Sequence, residues 1–183
     1  MIRFNRVVRL AIAAAVALDT SAAWASDAEL SAYLDRYRCP IVERLKWIHA
    51  TLPRAKDRYL ILGVRQAPQA YVQCLFLDND TRVLCEASSG FYATLAGETR
   101  LYRPSPTARA ALKKLGFSMD DSDGNYQRML VICGDGDLKT VADLMLSALY
   151  VGYAVREPSV TVEADAPLAR ELGNEISACA YVS

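Results

Sequence analysis

Apolar residues recur along the chain in distinguishable rhythms, and each rhythm predicts an element. Leu30, Leu34, Tyr37, Ile41, Leu45, Ile48 and Leu52 are spaced by three and four, which is one stripe of a helix. Ser26-Asp27-Ala28-Glu29 ahead of the stripe fits a capping box, Ser26 bonding forward and Glu29 reaching back, so the helix is expected to begin there. Pro40 lies inside the stripe. It lacks an N–H and crowds the carbonyl four residues back, which predicts either a kink or two short helices with Pro40 in the first turn of the second. Tyr59-Leu60-Ile61-Leu62-Gly63-Val64 is a short apolar run that fits a strand, although the run alone does not exclude helix.

Alternation follows. Ala70 to Asp78 and Thr81 to Ala87 flank Asn79-Asp80, a dipeptide that tolerates the positive φ of a tight hairpin turn. A two-residue turn there pairs Asp78 with Thr81 and sets Val72, Cys74 and Phe76 on one face with Ala87, Cys85 and Val83. That face is apolar throughout and is expected to meet the core. Tyr71, Gln73, Leu75, Leu77, Arg82, Leu84 and Glu86 form the other face, which is mixed. Left uncovered, its leucines make an apolar patch with a polar rim, the composition of a partner site; covered by a helix, they are core.

Beyond the hairpin, Ser105 is placed as an N-cap with Pro106 at the first helical position, and Gly116 stops that helix with Phe117 set against Leu112 in a Schellman ending. Asp120 to Asn125 is a turn cluster, and Tyr126 to Cys133 reads as a strand. Gly134-Asp135-Gly136 turns the chain, and Asp137 is expected to cap a helix from Leu138 to about Ala154 whose apolar residues nearly surround it. Val160-Thr161-Val162 fits a further strand and Leu168 to Tyr181 a short helix. The predicted fold class is α+β: an antiparallel sheet, a three-strand meander plus at least one further strand, with helices packed on it in the order α-β-β-β-α-β-α.

At about 150 residues per domain, a chain of 183 residues is one domain. Residues 1–25 read as a cleaved export signal: Arg3, Arg6 and Arg9, an apolar run from Leu10 to Leu18 closed by Asp19, then Ala23-Trp24-Ala25 as a small-x-small cleavage site. The run is too short to span a bilayer, so no stable membrane insertion is expected after cleavage, and the protein is expected in the periplasm or secreted; the other reading of the segment is an uncleaved signal anchor or a buried N-terminal helix. Residues 26–155 form the domain and 156–183 a tail, weakly structured or packed on it. The 21 basic and 21 acidic side chains balance, without a basic run for a phosphate backbone, so nucleic acid is excluded as a partner.

Five cysteines, Cys39, Cys74, Cys85, Cys133 and Cys179, leave at least one unpaired within the chain. Cys74 and Cys85 fall opposite each other in the hairpin register, within disulfide reach; the other reading is two small buried thiols side by side. The connectivity of the remaining three stays open. The single histidine, His49, sits in the first helical region with Cys39 and reads as a helical surface or partly buried residue; no C-x-x-C or G-x-S-x-G occurs. Setting Gly124 at position 6 of a calcium loop puts Met119 and Leu130 where carboxylates are required, so the aspartates around it are a solvated turn. Neither a metal nor a cofactor is expected, and no enzyme activity.

Tyr71-Val72-Gln73-Cys74, Leu84 through Tyr92 with Glu86-Ala87-Ser88-Ser89-Gly90-Phe91, Leu112-Lys113-Lys114-Leu115-Gly116-Phe117, and Gly124-Asn125-Tyr126 together resemble the YbjN-like and type III secretion chaperone-like (TY-Chap) domains, over about Tyr59 to Ala154. The resemblance implies a non-enzymatic domain that binds a peptide or protein client, chaperone-fashion, and leaves a homodimer open. A structural or inhibitor-like secreted domain stabilised by its disulfide is the competing reading. The mixed hairpin face, centred on Leu75 and Leu84, is the candidate partner surface.

Overall fold

The computed structural model describes residues 27–50, 58–64, 67–95, 103–155 and 160–163. The export segment, Ser26, Leu52, Cys179 and the helix expected at Leu168 to Tyr181 lie outside the described residues. The elements are α1 (Asp27–Ala50), β1 (Tyr59–Val64), β2 (Ala67–Leu77), β3 (Arg82–Ala87), α2 (Phe91–Leu95), α3 (Pro106–Lys114), β4 (Tyr126–Val131), α4 (Asp135–Tyr153) and β5 (Val160–Glu163). The predicted order holds, with the short α2 added to it and β5 lying where Val160-Thr161-Val162 fits a further strand. All five strands pair antiparallel in the spatial order β4-β3-β2-β1-β5, so the sheet is a meander extended at both sides.

The β2–β3 hairpin has the register read from the sequence, with Cys74 opposite Cys85 and Leu75 opposite Leu84. Asn79 and Asp80 take φ of 54° and 66°, as the turn's right-handed twist demands, and the Thr81 amide closes it by donating to the Asp78 carbonyl at 3.3 Å. Asp78 is left-handed too, with φ 50°, so the strands end one residue earlier on each side than alternation alone suggests. The buried Asp80 carboxylate accepts from the guanidinium of Arg58, which lies over the Phe76 ring and ties the start of β1 to the hairpin tip.

One face of the sheet carries the core. Leu60, Leu62, Val72, Cys74, Phe76, Val83, Cys85, Ala87 and Tyr126 are all buried there, and α4 lies across β2 with α1 and α3 against α4. Burial of α4 on several sides agrees with its nearly all-round apolar pattern: Leu138, Val141, Met145, Leu146 and Leu149 are among its buried residues. Close approach of α3 to α4 needs a glycine, because a Cβ on Gly152 would meet Leu112 Cδ2 at 2.8 Å. Cys74 and Cys85 are joined in a disulfide on this buried face, and Cys39 is disulfide-bonded as well, whereas Cys133 is free and exposed.

Three local expectations need adjustment. Of the two expectations at Pro40, the break into two helices is not met: α1 continues through the buried proline as one helix, and packing of Ile41, Leu45 and Ile48 on the core outweighs the hydrogen bond it forgoes. α4 starts at Asp135 rather than after Asp137: Gly134 is the N-cap, and the Asp137 carboxylate reaches back from the first turn to accept from the Cys133 and Gly134 amides at 2.7 and 3.1 Å. β4 ends at Val131, short of Cys133. At α3 the reading holds atom for atom. Ser105 Oγ accepts from the Ala108 amide at 3.1 Å, and at the other end the Gly116 and Phe117 amides donate to the Lys113 and Leu112 carbonyls.

Candidate functional site: the outer face of the sheet

The face turned away from the core cluster is built from the alternate residues of the same strands. Tyr71, Gln73, Leu75 and Leu77 of β2 share it with Arg82, Leu84 and Glu86 of β3, so all seven residues read as one surface do lie on one surface. None belongs to the buried set: Tyr71, Gln73, Leu75, Leu77, Leu84 and Glu86 are half-buried, and Arg82 is exposed. Flanking strands widen the face with residues that the hairpin alone could not reveal. Pairing of β1 with β2 adds Tyr59 beside Leu75 and Ile61 beside Gln73, and pairing of β4 with β3 adds Gln127 beside Glu86, Met129 beside Leu84 and Val131 beside Arg82.

These residues fall in cross-strand rows. The central row runs Tyr59, Leu75, Leu84, Met129, apolar across four strands, and both its ends meet solvent: Tyr59 is 38% and Met129 40% exposed, with Val131 in the next row at 66%. A second row runs Ile61, Gln73, Glu86, Gln127. In it the Glu86 carboxylate accepts from Gln73 Nε2 through one oxygen and from Gln127 Nε2, at 3.0 Å, through the other. The third row holds Leu77, Arg82 and Val131, with Arg82 donating to Asp78 at 2.9 Å. The result is an apolar band with a carboxylate row on one side and an ion pair on the other.

A seam of buried polar residues fixes the far end of the face. Ser89 Oγ donates to the Gly124 carbonyl at 2.7 Å and accepts from the Phe91 amide, while the Ser89 amide donates to Asn125 Oδ1 at 3.3 Å. Asn125 Nδ2 donates to the Tyr71 hydroxyl at 2.9 Å, and the Tyr153 hydroxyl donates to the Ser88 carbonyl at 2.7 Å. Gly90, at φ 86°, makes the bend into α2. Burial pushes the Tyr71 hydroxyl up, the hydrogen bond with Asn125 opposes the rise, and the nearby Glu86 charge adds to it. Short sequence signatures far apart in the chain thus converge on one joint, where the end of β3 meets the start of β4.

The helix side offers different chemistry. A shallow groove of about 270 Å³ is lined by Asp35, Arg38, Cys39, Val42, Glu43 and Lys139. Within it Arg38 bonds Asp35, and it also bonds Asp143, which raises its pKa despite the opposing effect of burial. His49 stacks 5.6 Å from the Phe76 ring on the core side, away from the outer face. Among the described residues no cluster of His, Cys, Asp and Glu could hold a metal ion, and no helix is long and apolar enough to cross a membrane.

A family model matches residues 41–166: TY-Chap3, described as T3SS (YopN, CesT) and YbjN peptide-binding chaperone 3. The chain belongs to the TY-Chap3 family. The sequence resemblance is upheld, and the TY-Chap3 match extends past it on both sides, from within α1 through β5, so it takes in the whole sheet and every residue of the outer face. TY-Chap3 is by its description a family of peptide-binding chaperones. No curated protein and no solved structure matches the chain.

Proposed function

We propose that this protein is an exported, non-enzymatic peptide-binding module whose outer sheet face receives an extended, partly apolar client segment. The observation that carries the reading is the row Tyr59, Leu75, Leu84 and Met129, apolar across four strands on the face opposite the helices and open at both ends. Leucine side chains partly in water gain about 25 cal/mol for each Å² of apolar surface that a docking partner removes from it. Membership of a peptide-binding chaperone family supports the same reading. Export is supported by the basic, apolar and small-residue succession of residues 1–25, and by disulfides at Cys74–Cys85 and at Cys39, which persist in an oxidising compartment.

The test is Leu84→Asp, with thermal melting and binding to an array of short peptides of varied composition measured in parallel. Wild type should retain peptides rich in apolar residues, and the variant should lose them while melting within a few degrees of wild type, because a carboxylate at this partly exposed position can reach water. Unchanged retention by the variant removes the outer face from the reading. An array on which wild type retains nothing favours the competing reading, a structural domain held by its disulfide.

A further inference from the structure

We infer that the outer face selects client segments carrying a lysine or arginine two positions from an apolar residue, with Glu86 as the specificity-determining group. This rests on the peptide-binding reading above and adds a chemical class to it. The second row is an excess of acceptors. Glu86 presents a carboxylate whose two oxygens offer about four lone-pair sites, and two of these are taken by the Gln73 and Gln127 amide N–H groups. Each amide spends one of its two N–H groups on Glu86, and the two amides keep their carbonyl oxygens and one N–H apiece, so unused acceptor sites in the row still outnumber unused donors. Those oxygens accept no hydrogen bond among the described residues, and Glu86 forms no ion pair among them.

The amide dipoles hold the carboxylate in place without cancelling its charge. The cation nearest along β3 on that face, Arg82, is two rows away and already bonded to Asp78 at 2.9 Å. A half-buried carboxylate flanked by two side-chain amides in a row with acceptor sites to spare is complementary to a positively charged group that only donates, and among peptide side chains that means ammonium or guanidinium. Spacing then sets the pattern. Residues two apart on a strand are roughly 6.6 Å apart, and so are same-side residues of an extended peptide. A peptide laid antiparallel along β3 with its cation over Glu86 therefore brings its i+2 side chain over Leu84 and its i+4 side chain over Arg82, between Leu77 and Val131.

The experiment uses the purified full-length chain and three synthetic peptides, each with leucines at the i+2 and i+4 positions on a threonine background. The i position carries lysine, norleucine or glutamate. Wild type should bind the lysine peptide about tenfold tighter than the norleucine peptide and bind the glutamate peptide weakest, the size expected for one charge-assisted hydrogen-bonded pair. The preference should shrink as salt is raised. Glu86→Gln should erase the preference, so that the lysine, norleucine and glutamate peptides bind the variant within about twofold of one another. Equal binding of all three peptides by wild type overturns the charge selectivity while the peptide-binding reading stands. Failure to bind any of them overturns both. Should Glu86→Gln not fold, the wild-type preference and its salt dependence decide by themselves.

Discussion

Along β3, neighbouring residues live in different solvents. Val83, Cys85 and Ala87 have no exposed surface, whereas Arg82, Leu84 and Glu86 between them keep theirs. Composition does not explain the contrast, because Leu75, Leu77 and Leu84 on the outer face are as apolar as Val72 and Val83 on the inner one. What differs is the layer above each face: α4 lies over one, and apolar side chains on the other remain partly in contact with water. One sheet thus spends half of its apolar pattern on stability and leaves the other half partly in water.

The contrast can be broken from either side. Val83→Asp should have the largest effect, burying a carboxylate with no partner at a cost of roughly 3 to 5 kcal/mol, enough to unfold a domain of ordinary stability. Circular dichroism should show lost tertiary structure for this variant, against near-wild-type melting for Leu84→Asp one residue along. Removing the bridge with Cys74→Ala and Cys85→Ala together should lower the unfolding free energy by about 3 kcal/mol in the chain-entropy model for so short a loop, read as an earlier urea midpoint. Met129→Ala should be smallest, within about 0.5 kcal/mol of wild type in stability, and should weaken retention of apolar peptides. A stability loss as large as that of a core truncation would place Met129 under cover and end the comparison.

Much of this was legible from local pattern. The hairpin register, the Ser105 cap and the Gly116 stop depend on residues within a few positions of each other, and each held in the structure. So did β1 and the all-round burial of α4. The outer face was legible only as far as one hairpin reaches. Gln127 and Met129 join Glu86 and Leu84 across a connection containing two helices, and no turn chemistry specifies that pairing. Periodicity likewise could not tell which face of a two-sided sheet a helix would cover, since coverage is a property of the whole layer. The buried Arg44, with its guanidinium 4.5 Å from the Trp47 ring, also escaped notice, because a cation on a helix stripe reads as surface until the ring beside it is known.

The Cys74–Cys85 bridge lies wholly on the buried side, with both residues at 0% exposure. It nevertheless governs what the open side displays. A strand's side chains alternate with a period of two, so a slip of one residue would turn Val83 and Cys85 outward and fold Leu84 and Glu86 in. A covalent tie between these two positions admits only the alignment that sets them opposite each other. Oxidation therefore locks covalently the register that the turn and the alternation set, and the identity of the outer face is secured by a bond on the opposite side of the sheet.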